Sequence, residues 1–171
     1  MSYIRVVTIS ALVLLAAGVS PARAQCPCTH TTTKIKGSLT ATPGRFNYNA
    51  QLGLPGANSA CNTHFPGTHA CTYAELKSAP TGDRCQLKDT AGNTVTSFWA
   101  INSAQPPLQQ CNDDAVGGSG LNWEYGTAHT ASRGQKVALT NSTGVLGSLE
   151  SSVQCNISGN NWVACCQSGC Q

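Results

Sequence analysis

The sequence predicts an α+β domain in which a small, antiparallel, loop-rich sheet packs with two short helices and disulfides hold the fold. Ten cysteines occur in 171 residues, and only 10% of the residues are charged. Short apolar runs alternate with stretches rich in Gly, Ser, Thr and Asn. Such a chain buries a modest core. Disulfides offset the shortfall by restricting the unfolded state, typically by about 2–4 kcal/mol each.

Residues 1–24 have the features of a secretory signal peptide. Arg5 precedes an apolar run over Val6–Val19, and residues 22–24 (Ala-Arg-Ala) form a small-x-small cleavage site. The apolar run is shorter than the roughly 20 residues that a membrane span needs. We therefore predict a mature chain of residues 25–171 in a secreted or periplasmic location, with no transmembrane segment after cleavage.

All ten cysteines lie in the single predicted domain 25–171, whose residues 25–33 form an N-terminal arm. An even number of cysteines in an exported chain predicts five disulfides rather than free thiols or metal ligands. The sequence alone leaves their pairing open. The cysteines are Cys26, Cys28, Cys61, Cys71, Cys85, Cys111, Cys155, Cys165, Cys166 and Cys170.

The charge pattern excludes nucleic acid as a partner. The formal net charge is +3, and two of the basic residues, Arg5 and Arg23, belong to the predicted signal peptide. The mature chain is therefore close to neutral. It carries no basic stripe of the kind that binds phosphate backbones.

Strands are predicted where β-branched and aromatic residues alternate with polar ones. Thr94–Ile101 has the strongest strand pattern, while Lys34–Thr40 and Arg45–Leu54 predict a hairpin or two neighbouring strands. Turn residues separate the remaining candidates, which we expect to close the sheet. These are Leu121–Tyr125, Lys136–Thr140, Val145–Cys155 and Asn161–Cys166.

Two short helices are predicted between these strands. Asn58 or Ser59 caps the first, which runs to about Phe65. Thr72 and Glu75 form a capping-box pattern at the start of the second helix. That helix extends from Tyr73 to about Ala79, before Pro80 stops it.

Region 103–134 is irregular and contains the candidate metal ligands. The oxygens of Asn112, Asp113 and Asp114, with those of Glu124, are of the type that Ca²⁺ prefers. The alternative is a solvated turn, in which Asp and Asn are common. Calcium is the one cofactor that the sequence suggests.

The aromatic residues divide into core and surface candidates. Trp99 and Trp162 fall in predicted strands, so we expect them in the core. Trp123 and Tyr125 are two positions apart and face the same side of any strand there. With the neighbouring Asn122, they are the candidate ligand-binding residues. No catalytic motif is present, so no catalytic residue is assigned.

Taken in order, these segments resemble a C-type-lectin-like domain. Ala57-x-x-x-Cys61 resembles the first-helix signature of that family, and residues 98–101 (Phe-Trp-Ala-Ile) resemble its central strand. Residues 161–165 (Asn-Trp-Val-Ala-Cys) resemble its last strand. The chain is also similar to uncharacterised exported cysteine-rich bacterial domains. It lacks the family's calcium-binding sugar motif, because Pro107 follows Pro106 where a carbonyl-bearing side chain is required.

The resemblance implies a partial disulfide pattern. It pairs Cys61 with Cys165 or Cys166, and Cys111 with Cys155. Neighbouring residues of a strand point to opposite faces, so Cys165 and Cys166 would serve two different bridges. The arm cysteines, Cys26 and Cys28, would then bond within the remaining set, with Cys170 as one partner.

The sequence therefore predicts a non-catalytic binding or surface-interaction module, with region 103–134 as its contact face and a glycan or cell-surface protein as its partner. One alternative is an extracellular polysaccharide hydrolase that uses Asp113 or Asp114 with Glu124. It predicts two carboxylates about 5–9 Å apart in a cleft. A purely structural, self-associating protein is the other alternative. It predicts an exposed apolar patch or an open strand edge.

Overall fold

The computed structural model of the chain describes residues 31–103, 110–112, 122–123, 132–156 and 161–170. These residues form a mixed fold of helices and three small antiparallel sheets, as the sequence predicts. The strands are β1 (Thr31–Ser38), β2 (Asn47–Tyr48), β3 (Gln51–Leu52), β4 (His69–Ala70), β5 (Ser97–Trp99), β6 (Arg133–Thr140), β7 (Val145–Gln154) and β8 (Ala164–Cys170). The helices are α1 (Gly53–His64), α2 (Tyr73–Ser78) and α3 (Thr81–Arg84).

The central sheet has the strand order β1-β8-β4, so the last strand lies between two early ones. Opposite Cys166 lie Ile35 on one side and His69 on the other. Opposite Cys165 lie Gly37 and Ala70. The sheet therefore joins the two ends of the described chain.

Disulfides attach both faces of this sheet to the rest of the fold. Cys61 of α1 is bonded to Cys165, and Cys71, which follows β4, is bonded to Cys166. Because successive residues of a strand face opposite sides, the two bridges leave β8 in opposite directions. The predictions that Cys61 pairs with one of these two residues, and that the two serve different bridges, are confirmed.

Two hydrophobic clusters lie on the two sides of β8. The first contains Cys61 and Cys165 with Trp99, and the second contains Cys71 and Cys166 with Phe98. Phe98 and Trp99 are neighbours in β5, and each is at most 1% exposed. Because side chains alternate between the two faces of β5, this short strand supplies a large side chain to each cluster. Trp99 is in the core, as predicted.

Helix α1 begins earlier than the sequence indicates. It starts at Gly53, whereas the sequence predicts a cap at Asn58 or Ser59. Pro55 occupies the first turn, where a missing N–H costs nothing. The Asn58 side chain does not cap the helix, because its Oδ1 accepts a hydrogen bond from the Ala70 amide at 2.9 Å.

Helix α2 has the capping box that its sequence predicts. The Glu75 amide donates to the Thr72 hydroxyl at 3.2 Å, and the Thr72 amide donates to a Glu75 carboxylate oxygen at 2.9 Å. The helix ends before Pro80, as expected. A third helix, α3, follows directly, and four residues are too few for a periodic pattern to have indicated it.

The second three-stranded sheet has the order β5-β6-β7 and is shorter at β5 than the sequence predicts. Only Ser97–Trp99 of the expected strand Thr94–Ile101 forms a ladder, pairing with Lys136–Ala138. The expected arrangement of Lys34–Thr40 and Arg45–Leu54, as a hairpin or as two neighbouring strands, is wrong. The first segment pairs with β8, while the second forms the small hairpin β2-β3.

Cys85 forms no disulfide within the described residues. Its thiol donates a hydrogen bond to the Ser142 carbonyl, with an Sγ–O distance of 3.2 Å. Cys26 and Cys28 lie outside the described residues. The structure therefore shows three of the five predicted disulfides, and the other two stay predictions.

No helix among the described residues is both long enough and apolar enough to cross a bilayer.

Asp89 is a buried carboxylate that organises the turn before β5. It accepts hydrogen bonds from the amides of Ala91 and Asn93 and from the Asn93 side chain, at 2.8–3.1 Å. The Trp162 indole also donates to it, at 3.0 Å. Burial acts to raise the pKa of Asp89, but these hydrogen bonds outweigh burial and hold the pKa below its ordinary value.

The lowered pKa of Asp89 predicts a specific loss of stability in acid. A carboxylate with a lower pKa in the folded state stabilises the fold fully above its unfolded pKa of about 3.9. That stabilisation disappears as the pH falls through the folded-state pKa. We expect Asp89→Asn to lower the melting temperature at neutral pH and the gap to wild type to narrow below about pH 4. Melting curves from neutral pH to below about pH 4 measure the gap in melting temperature, and Glu150→Gln, at an exposed position, is the control. A gap that stays constant with pH would contradict the assignment.

Candidate functional site

Region 103–134 starts and finishes at one place in the structure. The amide of Trp123 donates to the carbonyls of Gln110 and Cys111 at 3.1 and 3.2 Å, and the amide of Cys111 donates to the carbonyl of Arg133 at 2.8 Å. The three stretches of the region that lie outside the described residues therefore all connect at this point. We call the described residues of the region the loop base. They are Ser103, Gln110–Asn112, Asn122–Trp123 and Ser132–Arg133.

Buried polar side chains connect the start of the region to its end. The Gln110 side chain accepts from the Asn102 amide at 2.9 Å and donates to the Ser103 hydroxyl at 2.8 Å. That hydroxyl also bonds the side chain of Gln135 in β6. Gln110, Ser103 and Gln135 are at most 6% exposed. A buried network with its hydrogen bonds made fixes local geometry more strictly than apolar contacts do.

The Cys111–Cys155 disulfide lies at the centre of the loop base and is the pairing that the resemblance implied. Two glycines pack directly on it. A Cβ atom on Gly44 would lie 2.1 Å from Cys111 Sγ, and one on Gly134 would lie 2.6 Å from the same atom. Only glycine fits at either position without displacing the disulfide.

Three non-glycine residues at or beside the loop base have a left-handed backbone. Their φ angles are +52° at Asn102, +51° at Cys111 and +64° at Trp123. Each such residue costs roughly 1–2 kcal/mol relative to the right-handed region. Costly backbone conformations tend to gather at functional sites, where the surrounding structure enforces them.

Trp123 is completely buried, and the prediction that its ring is exposed is wrong. Its ring stacks on Phe46 with centroids 4.9 Å apart and meets Trp99 edge-on at 5.6 Å. Such aromatic pairs contribute beyond the area that they bury. Trp123 is therefore part of the hydrophobic core. Tyr125, its predicted companion, lies outside the described residues.

The predicted calcium ligands are only partly described. Asn112 is 2% exposed, and its Nδ2 donates to Oδ1 of the exposed Asn122 at 3.1 Å. Asp113, Asp114 and Glu124 lie outside the described residues. Within the described part of the chain, no group of three His, Cys, Asp or Glu side chains could hold a metal ion. The calcium site stays a prediction.

A half-exposed cluster on the far side of β8 was not predicted as a unit. Glu75 Oε1 lies 2.7 Å from His69 Nε2 and accepts from the Ser168 hydroxyl at 2.9 Å. Burial acts to raise the pKa of Glu75, but hydrogen bonds from Thr72, His69 and Ser168 outweigh it and lower that pKa. Ser168 donates to the glutamate and not to the histidine, so this arrangement does not activate a serine nucleophile. Only the pairing of β4 with β8 brings these residues together.

Several polar atoms around the loop base are buried and form no hydrogen bond. Such atoms are uncommon in native proteins, because each costs roughly 1–3 kcal/mol of lost hydration. The atoms are Arg45 Nε, Trp123 Nε1, Ser132 Oγ, Arg133 Nη1 and Asn156 Oδ1. The sequence does not predict these unpaired atoms, because neither Arg45 nor Arg133 belongs to a motif.

Comparisons of the chain with protein-family models, with curated proteins and with solved structures find no match. The arguments about function that follow therefore use the geometry and chemistry of this chain.

Proposed function

We propose that this chain is a secreted or periplasmic non-catalytic binding module whose contact face is region 103–134. The observation that carries the proposal is the loop base, where one disulfide, a buried glutamine network and backbone hydrogen bonds hold the described residues of region 103–134 together. Long loops on a rigid base are where proteins usually place recognition. A glycan or a cell-surface protein is the proposed partner.

A lectin-like architecture is the finer form of this proposal. The bridges Cys61–Cys165 and Cys111–Cys155 support it, because the resemblance implies a bridge from Cys61 to Cys165 or Cys166 and one from Cys111 to Cys155. The order of the elements supports it as well, because region 103–134 follows β5 and leads into β6. The proposal extends neither to a calcium-dependent mode of sugar binding nor to a particular sugar.

The described residues give less support to the alternatives. Val145 is the only large hydrophobic residue among them that is exposed, at 51%. Strand β7 lies at the edge of its sheet but exposes Ser148, Glu150 and Ser151, and polar or charged residues discourage pairing between edges. The described residues therefore offer no apolar patch through which copies of the protein could associate. The hydrolase hypothesis depends on carboxylates outside the described residues.

A glycan array and a cell-surface binding assay test the proposal. The mature, disulfide-intact protein is applied with and without calcium, beside a variant in which residues 113–121 are replaced by a Gly-Ser segment of equal length. We expect the wild type to bind at least one partner class and the variant to lose about tenfold or more in affinity.

The matched control replaces Ser148 and Ser151 of β7, which are exposed and lie outside region 103–134, by alanine. We expect this control to bind as the wild type does. Equal binding by the loop variant and the wild type would refute region 103–134 as the contact face. Binding that disappears on calcium removal would support the predicted metal site.

A further inference from the structure

The three disulfides of the described residues join cysteines that are far apart in the sequence. The bridges span 104, 95 and 44 positions, and in that order they are Cys61–Cys165, Cys71–Cys166 and Cys111–Cys155. Each of these six cysteines has another cysteine closer in sequence than its native partner. The native pattern is therefore not the one that an unfolded chain favours.

The entropy of loop closure measures how strongly the unfolded chain favours other bridges. Cys71 is only ten positions from Cys61, whereas Cys165 is 104 positions from it. Because the closure cost grows with the logarithm of loop length, the loop from Cys61 to Cys71 forms about 30 times as often as the loop to Cys165. The same comparison favours a bridge from Cys155 to Cys165, ten positions apart, over the native Cys111–Cys155 by about ninefold.

Loop closure also does not distinguish the native bridges of β8 from their exchanged counterparts. Cys165 and Cys166 are adjacent, so Cys61 reaches them through loops that differ by one residue. The folded strand does distinguish them, because neighbouring side chains of β8 point to opposite faces. A bond from Cys61 to Cys166 would require β8 to slip by one residue, which moves every side chain of the strand to the other face. The correct partner is therefore selected only where the sheet forms.

Burial makes the native bridges the end point of any rearrangement. All six bridged cysteines are at most 1% exposed. A disulfide rearranges when a thiolate reaches one of its sulfurs, so the native bridges are protected, whereas bridges in an unfolded chain are open to attack. Exchange therefore leads toward the native pattern once a reactive thiolate is supplied.

We propose that the native bridges form by rearrangement of shorter, non-native ones, and that this chain is a substrate of a thiol–disulfide isomerase. The partner is defined by its chemistry, which is an accessible cysteine thiolate that attacks the exposed disulfides of an incompletely folded chain. Without a catalyst, such rearrangement takes minutes to hours. The inference goes beyond the proposed function and does not depend on which surface of the folded protein binds a ligand.

Exchange of a Cys61–Cys71 bridge begins when the isomerase thiolate attacks the Cys71 sulfur. The bond between the two cysteines breaks, Cys61 leaves as a thiolate, and Cys71 forms a mixed disulfide with the enzyme. The thiolate of Cys166, which has lost its proton to solvent, then attacks the Cys71 sulfur. This step makes the native bridge and releases the enzyme thiolate. One disulfide breaks for each one that forms, so no oxidant is consumed.

The other two native bridges follow by exchange and by oxidation. The released Cys61 thiolate attacks the Cys165 sulfur of a Cys155–Cys165 bridge and expels the Cys155 thiolate. Cys111 and Cys155 then close the third bridge by giving two electrons and two protons to a disulfide oxidant such as oxidised glutathione. The oxidant becomes two thiols.

Oxidative refolding of the reduced, urea-unfolded mature chain tests the order of events. The chain is diluted into oxidised glutathione, and samples taken over the first minutes are alkylated, digested without reductant and mapped by mass spectrometry. We expect Cys61–Cys71 to exceed Cys61–Cys165 by about tenfold or more in the first samples. Native bridges as the first products would overturn the proposal, because no rearrangement would then be needed.

Protein disulfide isomerase is the probe for the proposed partner. In a buffer of reduced and oxidised glutathione, we expect it to form the three native bridges at least about tenfold faster than the same enzyme with alkylated active-site cysteines. The alkylated enzyme controls for binding without exchange. Equal rates with the active and the alkylated enzyme would overturn the assignment of the chain as an isomerase substrate.

Cysteine variants test whether competition for Cys61 causes the dependence on the isomerase. Cys71→Ala with Cys166→Ala removes the nearest competitor, so the isomerase should accelerate the Cys61–Cys165 bridge at least about threefold less than in wild type. Cys85→Ala removes a cysteine with no bridge among the described residues and is the matched control, which should keep the wild-type acceleration. Equal acceleration in all three proteins would contradict the proposal. If the double variant does not fold, the early bridge map of the wild type decides, since it is recorded before folding.

Discussion

Removal of the Cys61–Cys165 disulfide is expected to lower the free energy of unfolding by about 4–5 kcal/mol. The two cysteines are 104 positions apart in the sequence. Closing a loop of roughly 100 residues removes about 4.7 kcal/mol of unfolded-state chain entropy in the loop-closure description. The variant Cys61→Ala with Cys165→Ala changes little buried volume, so most of the loss comes from the cross-link. Urea unfolding at neutral pH, followed by tryptophan fluorescence, measures it.

The control for this prediction is Cys85→Ala. Cys85 forms no disulfide within the described residues, and its one hydrogen bond is to the Ser142 carbonyl. We expect its replacement to change the free energy of unfolding by less than about 1 kcal/mol. A loss as large as that of the double variant would mean that Cys85 is cross-linked in the native protein. If the double variant is fully unfolded, the wild type unfolded with and without reductant provides the same comparison.

The parts of the fold that the sequence predicts correctly depend on interactions between residues close in sequence or on the alternation of side chains along a strand. The capping box of Thr72 and Glu75 is complete within four residues, so its pattern determines its geometry. The opposite directions of Cys165 and Cys166 follow from the twofold period of any strand. The disulfide partners of the cysteines do not follow from such local rules. They were predicted from a family resemblance, because ten cysteines alone leave hundreds of pairings open.

The start of α1 was misplaced because Pro and Gly have opposite meanings at the two ends of an element. Pro55 and Gly56 read as a turn, yet both lie in the first helical turn. A Cβ on Gly56 would lie 2.2 Å from the Gln51 carbonyl oxygen, so the glycine allows the helix to pack against β3. That contact involves tertiary packing, which a window of sequence does not contain.

The candidate site shows the same limit more strongly. The Gly and Pro content of region 103–134 predicts a loop, and most of that region lies outside the described residues. The burial of Trp123 could not be predicted, because the ring that covers it, Phe46, lies 77 positions earlier in the chain.

Arg84 connects two parts of the fold that are far apart in sequence. Its Nη1 donates to the carbonyls of Leu76 and Ala79 at 2.6 and 2.7 Å, and its Nε donates to the Gly144 carbonyl at 2.8 Å. The first two carbonyls belong to the end of α2, where a helix leaves its last carbonyls without intrahelical partners. Gly144 lies in the turn between β6 and β7. One side chain, 4% exposed, therefore caps a helix and holds a hairpin turn against it.

Replacement of Arg84 by alanine is expected to lower the free energy of unfolding by about 3–5 kcal/mol. It leaves three carbonyl oxygens without their donor, and hydrogen bonds to a charged group contribute about 1.5–3 kcal/mol each, less than additively. Arg84→Lys keeps the charge but lacks the planar fork, so we expect an intermediate loss. The matched control is Lys88→Ala, an exposed basic residue whose one described hydrogen bond is to Thr94. Urea unfolding of the three variants measures these effects. A loss for Arg84→Ala no larger than for Lys88→Ala would show that water replaces the guanidinium at these carbonyls and that the connection between α2 and the hairpin contributes little to stability.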